Sequence, residues 1–438
     1  LFFVLSFSSL CVPSLLAPAP PPPPRPPPRD RFAAMLEKLK LKQPPGGIAY
    51  NLEEAEAVVD RIGYPCLVRP SYVLGGRAMA LVHDRDELRG FMKNAVNISP
   101  EHPILIDRFL EEAVEIDVDA LSDGTNVFVA GIMQHIEEAG VHSGDSACIL
   151  PPIDISAELI AEIKDATRRI ALELGVVGLM NIQYAIQREE LYLIEVNPRA
   201  SRTVPFVAKS IGYPLARLAT QVMMGKKLPE LNLPADLELD YISVKEAVLP
   251  FARFPGADII LGPEMKSTGE VMGLAESAGE AYIKALMGAG DKVPEGGGVF
   301  FSVTDVAKNQ LMDEALALTE MGYSLYCTEG TADFLESRGL KVERVFKTHE
   351  NKHPNAVDHI QDDKIRIIIN IPDSRRTRDD AFVIRQEATR RKILVVTTVA
   401  GTAALVNGLK QMRINAFSIN ALQKVHAGRV LSGPPKMK

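Results

Sequence analysis

The stretch Asn181-Ile182-Gln183-Tyr184-Ala185-Ile186, then Arg188-Glu189-Glu190, then Leu191-Tyr192-Leu193-Ile194-Glu195-Val196-Asn197-Pro198-Arg199 decides how this chain is read. Apolar and polar positions alternate on either side of a short charged turn, which is the pattern of a β-hairpin. With the hairpin symmetric about Glu189, Gln183 lies opposite Glu195, and Asn197 shares the face of Glu195. Carboxylate and amide oxygens on one face suit Mg²⁺ or Mn²⁺, and one carboxylate with two amides leaves coordination positions for phosphate oxygens. Arg199 and Arg202 follow at once. Guanidinium forks bind phosphate oxygens in pairs and offset charge during phosphoryl transfer.

Two further clusters have the same chemical flavour. Glu138-Ala-Gly-Val-His-Ser-Gly-Asp-Ser146 is too polar and glycine-rich for a core element. Its glycines permit close approach of backbone to a ligand, and His142 and Ser143 offer side-chain donors. Arg69-Pro-Ser-Tyr-Val-Leu-Gly-Gly-Arg77 sets a basic strand end beside a flexible loop, as a lid over a triphosphate would need. Neither a G-x-x-x-x-G-K-[ST] loop nor a G-x-G-x-x-G in a strand-to-helix context is present, so phosphate binding takes another form.

The 438 residues suffice for about two to four domains. With 46% hydrophobic and 24% charged residues and a net charge of −7, the chain reads as a globular enzyme without the basic surface that nucleic acid requires. Its four cysteines, Cys11, Cys66, Cys148 and Cys327, show no C-x-x-C spacing and suit a reducing, cytoplasmic setting, organellar if the leader is genuine. Residues 1–29 read as a disordered proline-rich leader or an assembly artefact; the apolar run 1–16 falls short of the ~20 residues of a membrane helix.

From Asp30 the periodicity predicts helices over 30–41, 51–62, 85–95, 157–174 and 207–224, with strands over 66–68 and 104–106. Hairpins are predicted at 114–121/127–133 and 181–186/191–196. The Gly- and Pro-rich stretch 250–294 reads as a boundary. Beyond it, strands at 299–303, 324–327, 342–345, 365–371 and 393–397 alternate with helices at 306–321, 331–337 and 381–391, the signature of a doubly wound parallel sheet.

The three clusters, in this order, resemble the ATP-grasp domain of carbamoyl phosphate synthetases. The stretches that carry the resemblance are RPSYVLGGRAM from Arg69, HIEEAGVHSGDSA from His135, MNIQYA from Met180 and EVNPRASRTVPFVAK from Glu195. The resemblance implies that Arg69 contacts nucleotide phosphates, that Arg108 and Leu110 line the adenine site, and that Glu115 accepts from the ribose. It further implies that Gly140, Val141, His142 and Ser143 form the loop around the nucleotide. Gln183, Glu195 and Asn197 would hold about two Mg²⁺ or Mn²⁺ ions, and Arg199, with Glu195 and Asn197, would serve the transferring phosphoryl group. The implied reaction is carbamate plus ATP giving carbamoyl phosphate plus ADP, for arginine and pyrimidine biosynthesis.

The region after Gly296 is similar to that family's allosteric domain, whose fold is methylglyoxal-synthase-like and flavodoxin-like. Its marks are GGVFFSV, TEGTA from Thr328, Lys347, IINIPDSRR from Ile368 and VVTTVAGTAAL from Val395, whose hydroxyls would hold the phosphate of a nucleotide or other effector. Ile371 stands where bacterial relatives often carry a hydroxyl residue. The expected fold class is therefore α/β and α+β. An ATP-grasp domain would occupy 30–250, a linker or helical connection 251–294 and the allosteric domain 295–438. Missing from this sequence are the family's bicarbonate-activating half, the α/β domain preceding the ATP-grasp unit, and a glutamine amidotransferase; the first and last are expected partners. No nucleic-acid or membrane partner is expected. The competing readings are an inactive nucleotide-binding regulatory fragment, a biotin carboxylase relative and a free-standing methylglyoxal synthase.

Overall fold

The computed structural model describes residues 29–70, 79–98, 103–254, 258–350, 352–371, 375–414, 417 and 419–427. The leader and residues 71–78 of the lid segment, Arg77 included, lie outside the described residues.

After helix α1 (Arg29–Lys38), a four-stranded antiparallel sheet is formed by β1 (Gly46–Ala49), β2 (Cys66–Pro70), β3 (Ala80–Val82) and β4 (Ile104–Arg108) in the order β1-β4-β2-β3. Helices α2 (Leu52–Ile62) and α3 (Arg85–Ile98) cover its apolar face, where Val58, Val59, Leu88, Met92 and Ile106 are buried together. Asn51 caps α2 as its sequence implies: the Oδ1 accepts from the Glu54 N–H at 2.9 Å.

A seven-stranded antiparallel sheet follows, in the order β11-β10-β7-β6-β5-β8-β9. Its strands are β5 (Val114–Asp123), β6 (Val127–His135), β7 (Cys148–Leu150), β8 (Val177–Gln187), β9 (Glu190–Asn197), β10 (Ile242–Val248) and β11 (Gly269–Ala275). One face packs on α1 and on α4 (Ala157–Glu173), which buries Leu159, Ile163, Ala166 and Ile170 at helical spacing against Ile116, Val118, Ile182, Tyr184 and Leu193. Part of the other face packs on α5 (Val204–Ile211) and α6 (Leu215–Met223). The pattern predicts one helix over 207–224, but the chain breaks it: Gly212 adopts φ 77° and Pro214 lacks the N–H to continue.

The stretch 251–294 is more than a linker. It contributes the edge strand β11 and helix α7 (Ala278–Ala289), which packs on β10 and β11. The short strand run GEVMGLA is masked in the sequence by its glycines, one of which is a packing requirement: a Cβ on Gly273 would sit 1.9 Å from the Ala281 carbonyl oxygen.

The remainder is a five-stranded parallel sheet of β12 (Gly298–Val303), β13 (Ser324–Cys327), β14 (Val342–Arg344), β15 (Ile365–Ile371) and β16 (Leu394–Val396), in the order β14-β13-β12-β15-β16. The predicted helix over 306–321 is two, α8 (Asp305–Gln310) and α9 (Met312–Glu320), hinged at Leu311. Then come α10 (Glu329–Glu336), α11 (Ala356–Gln361), α12 (Arg375–Arg391) and α13 (Val399–Ile414). The order turns back between β12 and β15, where a doubly wound sheet opens a crevice at the carboxyl ends of its strands. Buried residues of α7, α13 and this sheet form one continuous core with Ile149 and Val244 of the large sheet and with Ile136 and Ala147 beside it.

Candidate active site

Three cross-strand rows make the chemistry-bearing face of the large sheet. Glu115 pairs Ala185, which pairs Tyr192; Asp117 pairs Gln183, which pairs Glu195; Asp119 pairs Asn181, which pairs Asn197. Directly paired residues share a face, so Glu115, Asp117, Asp119, Asn181, Gln183, Glu195 and Asn197 all project to one side. The hairpin is not symmetric about Glu189. Its turn is the pair Arg188-Glu189, both at positive φ (51° and 62°), as a two-residue type I′ turn requires. That turn pairs Gln187 with Glu190, Ala185 with Tyr192 and Tyr184 with Leu193. A bulge then intervenes, and Gln183 meets Glu195 with Ile194 as the extra residue. Without the bulge, Glu195 and Asn197 would continue the row of Leu191 and Leu193, which are buried against α4.

Gln183 and Asn197 are half-buried and Glu195 is exposed. Arg199 folds back: its Nη2 donates to Asn197 Oδ1 at 3.1 Å and its Nη1 to the Ala200 carbonyl. Arg202 is exposed on the same turn. Deeper in the face, Asp119 accepts from Ser201, Thr203 and Asn181, and burial pushes its carboxyl up to about 6 despite the hydroxyl donors. His135 is buried with Nε2 3.1 Å from Asp117 Oδ2 and Nδ1 3.2 Å from Glu115 Oε2. Burial alone would lower its pKa; Cys148, Asp117 and Glu115 outweigh that and raise it well above the ordinary value.

The loop 138–146 closes one wall. Gly140 donates its N–H to Glu115 Oε1 at 3.0 Å and holds φ 94°, and a Cβ there would press on Phe109 at 3.0 Å. The His142 ring does not donate from Nδ1; that nitrogen accepts the Gly144 N–H at 3.0 Å, which leaves the proton on Nε2. Burial, helped by Arg202, lowers its pKa, so the ring is neutral at pH 7. The loop is pinned from below. The fully buried Lys245 donates to the Ser143 carbonyl at 2.8 Å, His142 N–H donates to the Gly262 carbonyl, and Asp145 accepts from the Lys266 and Ser267 N–H groups. Val141 is half-buried between these anchors.

Two of the predicted residues lie on the small sheet. Arg69 lies at the end of β2, 3.6 Å from Asp107, with its Nε buried and without a hydrogen-bond partner among the described residues. Arg108 ends β4 and donates to the Tyr64 carbonyl, with Glu111 3.6 Å away. Leu110 is buried with Ala113 and Ala185, flanked by Ala139, Tyr192 and Ile194. This apolar slot lies where the two sheets meet, beside Gly140.

The donor set on the face fits a hard divalent cation in its chemistry, oxygen from one carboxylate and two amides. Among the described residues no cluster of three or more His, Cys, Asp or Glu is arranged to hold a metal; water or phosphate oxygens would complete a shell built on Gln183, Glu195 and Asn197. Cys66, Cys148 and Cys327 are buried, and burial pushes the Cys66 and Cys327 thiols up to about 11 and about 12; they are small core residues.

A second cavity opens at the crevice of the parallel sheet. Lining it are Thr304, Lys308, Thr328, Thr331, Lys347 and Asn370. Ile371 lines it too. Thr398, grouped with the phosphate-holding hydroxyls by its sequence, is elsewhere: its Oγ1 donates to the Ile136 carbonyl and accepts from the Gly401 N–H, so it caps α13 against the large sheet. Sequence reasoning missed Asp117, Asp119, His135, Asp145 and Lys245. The acid-apolar alternation Glu115-Ile-Asp117-Val-Asp119, and a lysine inside the apolar run around Val244, were the available signals.

A family model described as the carbamoyl-phosphate synthase L chain, ATP binding domain, matches residues 28–231, and one described as an MGS-like domain matches 310–397. The carbamoyl phosphate synthase large chain of Acidobacterium capsulatum is 49% identical over 423 residues, 95% of this chain and 39% of that one. That of Archaeoglobus fulgidus is 49% identical over 399 residues, 91% and 37%. That of Methanospirillum hungatei is 48% identical over 409 residues, 93% and 38%. The chain thus spans about two-fifths of the length of these relatives. Among solved structures, the biotin carboxylase domain of Hydrogenobacter thermophilus 2-oxoglutarate carboxylase is 19% identical with a TM-score of 0.49, covering 59% of this chain and 64% of that one.

Proposed function

The chain belongs to the carbamoyl phosphate synthase large-chain family, and we propose that residues 30–250 form a kinase unit that phosphorylates carbamate with ATP to give carbamoyl phosphate and ADP. The observation that carries this reading is the set of cross-strand rows, which aligns Gln183, Glu195 and Asn197 on one face with Arg199 at its edge.

The adenine lies in the apolar slot of Leu110, Ala185 and Ile194, and the Glu115 carboxylate is the acceptor for the ribose. Arg69 draws the phosphates across the cleft, and the 140–143 loop closes over them, with His142 Nε2 as a neutral donor. Gln183, Glu195 and Asn197 would hold Mg²⁺, for which Mn²⁺ is the alternative, and the ion would neutralise phosphate charge. Arg199, whose Nη2 donates to Asn197 Oδ1, stands at the edge of this set, where its guanidinium would serve the transferring phosphoryl group. No covalent enzyme intermediate is needed: the site acts by alignment and charge neutralisation. The other half of the synthetase and a glutamine amidotransferase supply the carbamate, and the product feeds arginine and pyrimidine synthesis. The cavity lined by Lys308, Lys347, Thr328 and Thr331 takes a nucleoside monophosphate or similar phosphorylated effector, since hydroxyls, ammonium groups and the start of α10 converge there.

A second reading is a nucleotide-binding fragment without turnover; the contact of Arg199 with Asn197 Oδ1, an oxygen the cation needs, favours it. One experiment separates the two: ATP formation from ADP and carbamoyl phosphate with Mg²⁺, comparing the chain with Glu195→Ala. A working site makes ATP and loses about 100-fold or more of that rate in the variant. A folded chain that binds nucleotide but makes no ATP sinks the kinase reading.

A further inference from the structure

The geometry points to Asp119 as the residue that positions the phosphoryl-handling turn, a role acting through Ser201 and Thr203. It rests on the kinase reading of Asn197 and Arg199 given above. Asp119 is wholly buried in the middle of β5. Its Oδ1 accepts from Ser201 Oγ at 2.7 Å and from Asn181 Nδ2 at 3.0 Å, and its Oδ2 accepts from Thr203 Oγ1 at 2.7 Å. The two hydroxyl oxygens are 2.8 Å apart, and Ser201 Oγ also accepts the Val204 N–H. The Asn181 amide is shared with Asp117 Oδ1 at 3.2 Å. Asp117 in turn meets His135 on β6.

One carboxylate on β5 therefore joins β8 to the turn that follows β9. Asp119, Asn181 and Asn197 form one cross-strand row, so the row ends on a candidate cation ligand. From Asn197 the chain leaves the sheet through Pro198, Arg199, Ala200, Ser201 and Arg202 into α5. Among the described residues, the side-chain hydrogen bonds that tie Ser201 and Thr203 back to the sheet both end on Asp119. Arg199 itself is exposed, and its side-chain hydrogen bonds run to Asn197, the last residue of β9, and to the Ala200 carbonyl in the turn. Its place relative to the cation face is consequently set by where Ser201 and Thr203 are held. A buried carboxylate is a costly group to keep, and a neutral Asn could not accept from three donors with one oxygen. The adenine slot and the ribose acceptor are on other residues, so displacement of the turn should affect the chemical step and not nucleotide capture.

The test uses the full chain and the ATP-forming assay with Mg²⁺, ADP and carbamoyl phosphate. Thr203→Val keeps the shape and removes the hydroxyl; Thr203→Ser keeps the hydroxyl. For Thr203→Val we expect kcat to fall about 10- to 100-fold with the KM for ADP within about two-fold, because a small misplacement of a positioned group costs that much in rate. Thr203→Ser should stay within about three-fold of the wild-type kcat, and Asp119→Asn should be at least as damaged as Thr203→Val. Thermal unfolding confirms that each variant is folded; if Asp119→Asn is not, the Thr203 pair still decides. An unchanged kcat in Thr203→Val, a change confined to KM, or equal damage in Thr203→Ser would each overturn the assignment, the last by showing a packing role. A wild-type chain that makes no ATP removes the kinase reading and this inference with it.

Discussion

Gln183 stands directly opposite Glu195 only because Ile194 is bulged out of the β8–β9 ladder. The extra residue moves a carboxylate and an amide from the α4 side of the sheet to the cleft side. Deleting Ile194 removes only the extra residue: Glu195 then follows Leu193 directly, still opposite Gln183 and on the cleft side. The expected result is a folded chain with a urea midpoint near that of the wild type and ATP formation within about ten-fold of the wild-type rate, because the candidate ligand face is kept and only the local twist of the bulge is lost. Complete loss of ATP formation in the folded variant would mean that the bulge shapes the site beyond setting which residues face it.

Lys245 holds the 138–146 loop, proposed above to close over the nucleotide, from inside the sheet through the Ser143 carbonyl. Lys245→Met preserves the buried stem and removes the donor, leaving a buried carbonyl short of a partner. That costs about 1–3 kcal/mol, and if it falls on the closed loop the KM for ADP rises roughly ten-fold with a smaller effect on kcat. Steady-state kinetics at varied ADP check the split. Hydrogen exchange should also show faster exchange of the His142 amide in the variant.

Arg385 of α12 is wholly buried, and its Nε and Nη2 reach Asp258 Oδ1 and Oδ2 at 2.8 and 2.7 Å. Its Nη1 donates to Asn370, which lines the second cavity. Asp258→Ala leaves that guanidinium buried without its carboxylate, and should cost about 3–5 kcal/mol. Burial works to raise the Asp258 carboxyl, but Arg385 wins and holds it below the usual range. A lowered folded-state pKa means that the proton binds the unfolded chain more tightly. The pair's contribution is therefore present above the ordinary Asp value near pH 4 and is lost as pH falls through the lower folded value. Urea unfolding at pH 7 and at pH 3 should differ less in Asp258→Ala than in the wild type.

Cys66, Cys148 and Cys327 are buried, and two of the thiols are pushed far above the range in which thiolate forms at neutral pH. Iodoacetamide at pH 8 should leave all three unmodified in the folded chain and label them in urea, as mass spectrometry would read directly. Rapid labelling of Cys66 in the native chain would show that the small sheet opens.

Local pattern was enough for much of the fold and of the candidate site. Alternation and a charged turn specify the β8–β9 hairpin, capping residues specify the start of α2, and regular strand–helix alternation specifies the parallel sheet, because each signal depends on neighbours within a few residues. Gln183, Glu195, Asn197 and Arg199 were legible for the same reason. What failed locally was whatever depends on packing between distant segments. Strand β11 was hidden because its glycines look like loop, and the reason for one of them, Gly273, lies in the approach of α7. Thr398 looked like a phosphate ligand until its hydroxyl was seen against Ile136 of another sheet. Asp119 and Lys245 are charges within apolar strands that sequence reasoning passed over; only the tertiary structure brings Ser201 and Thr203, or the Ser143 carbonyl, within reach of them. Sequence by itself determined which residues could do chemistry and on which strands. The tertiary structure decided which of them face one another, because a single bulge and a few buried charges, invisible to periodicity, set the final orientation of the site.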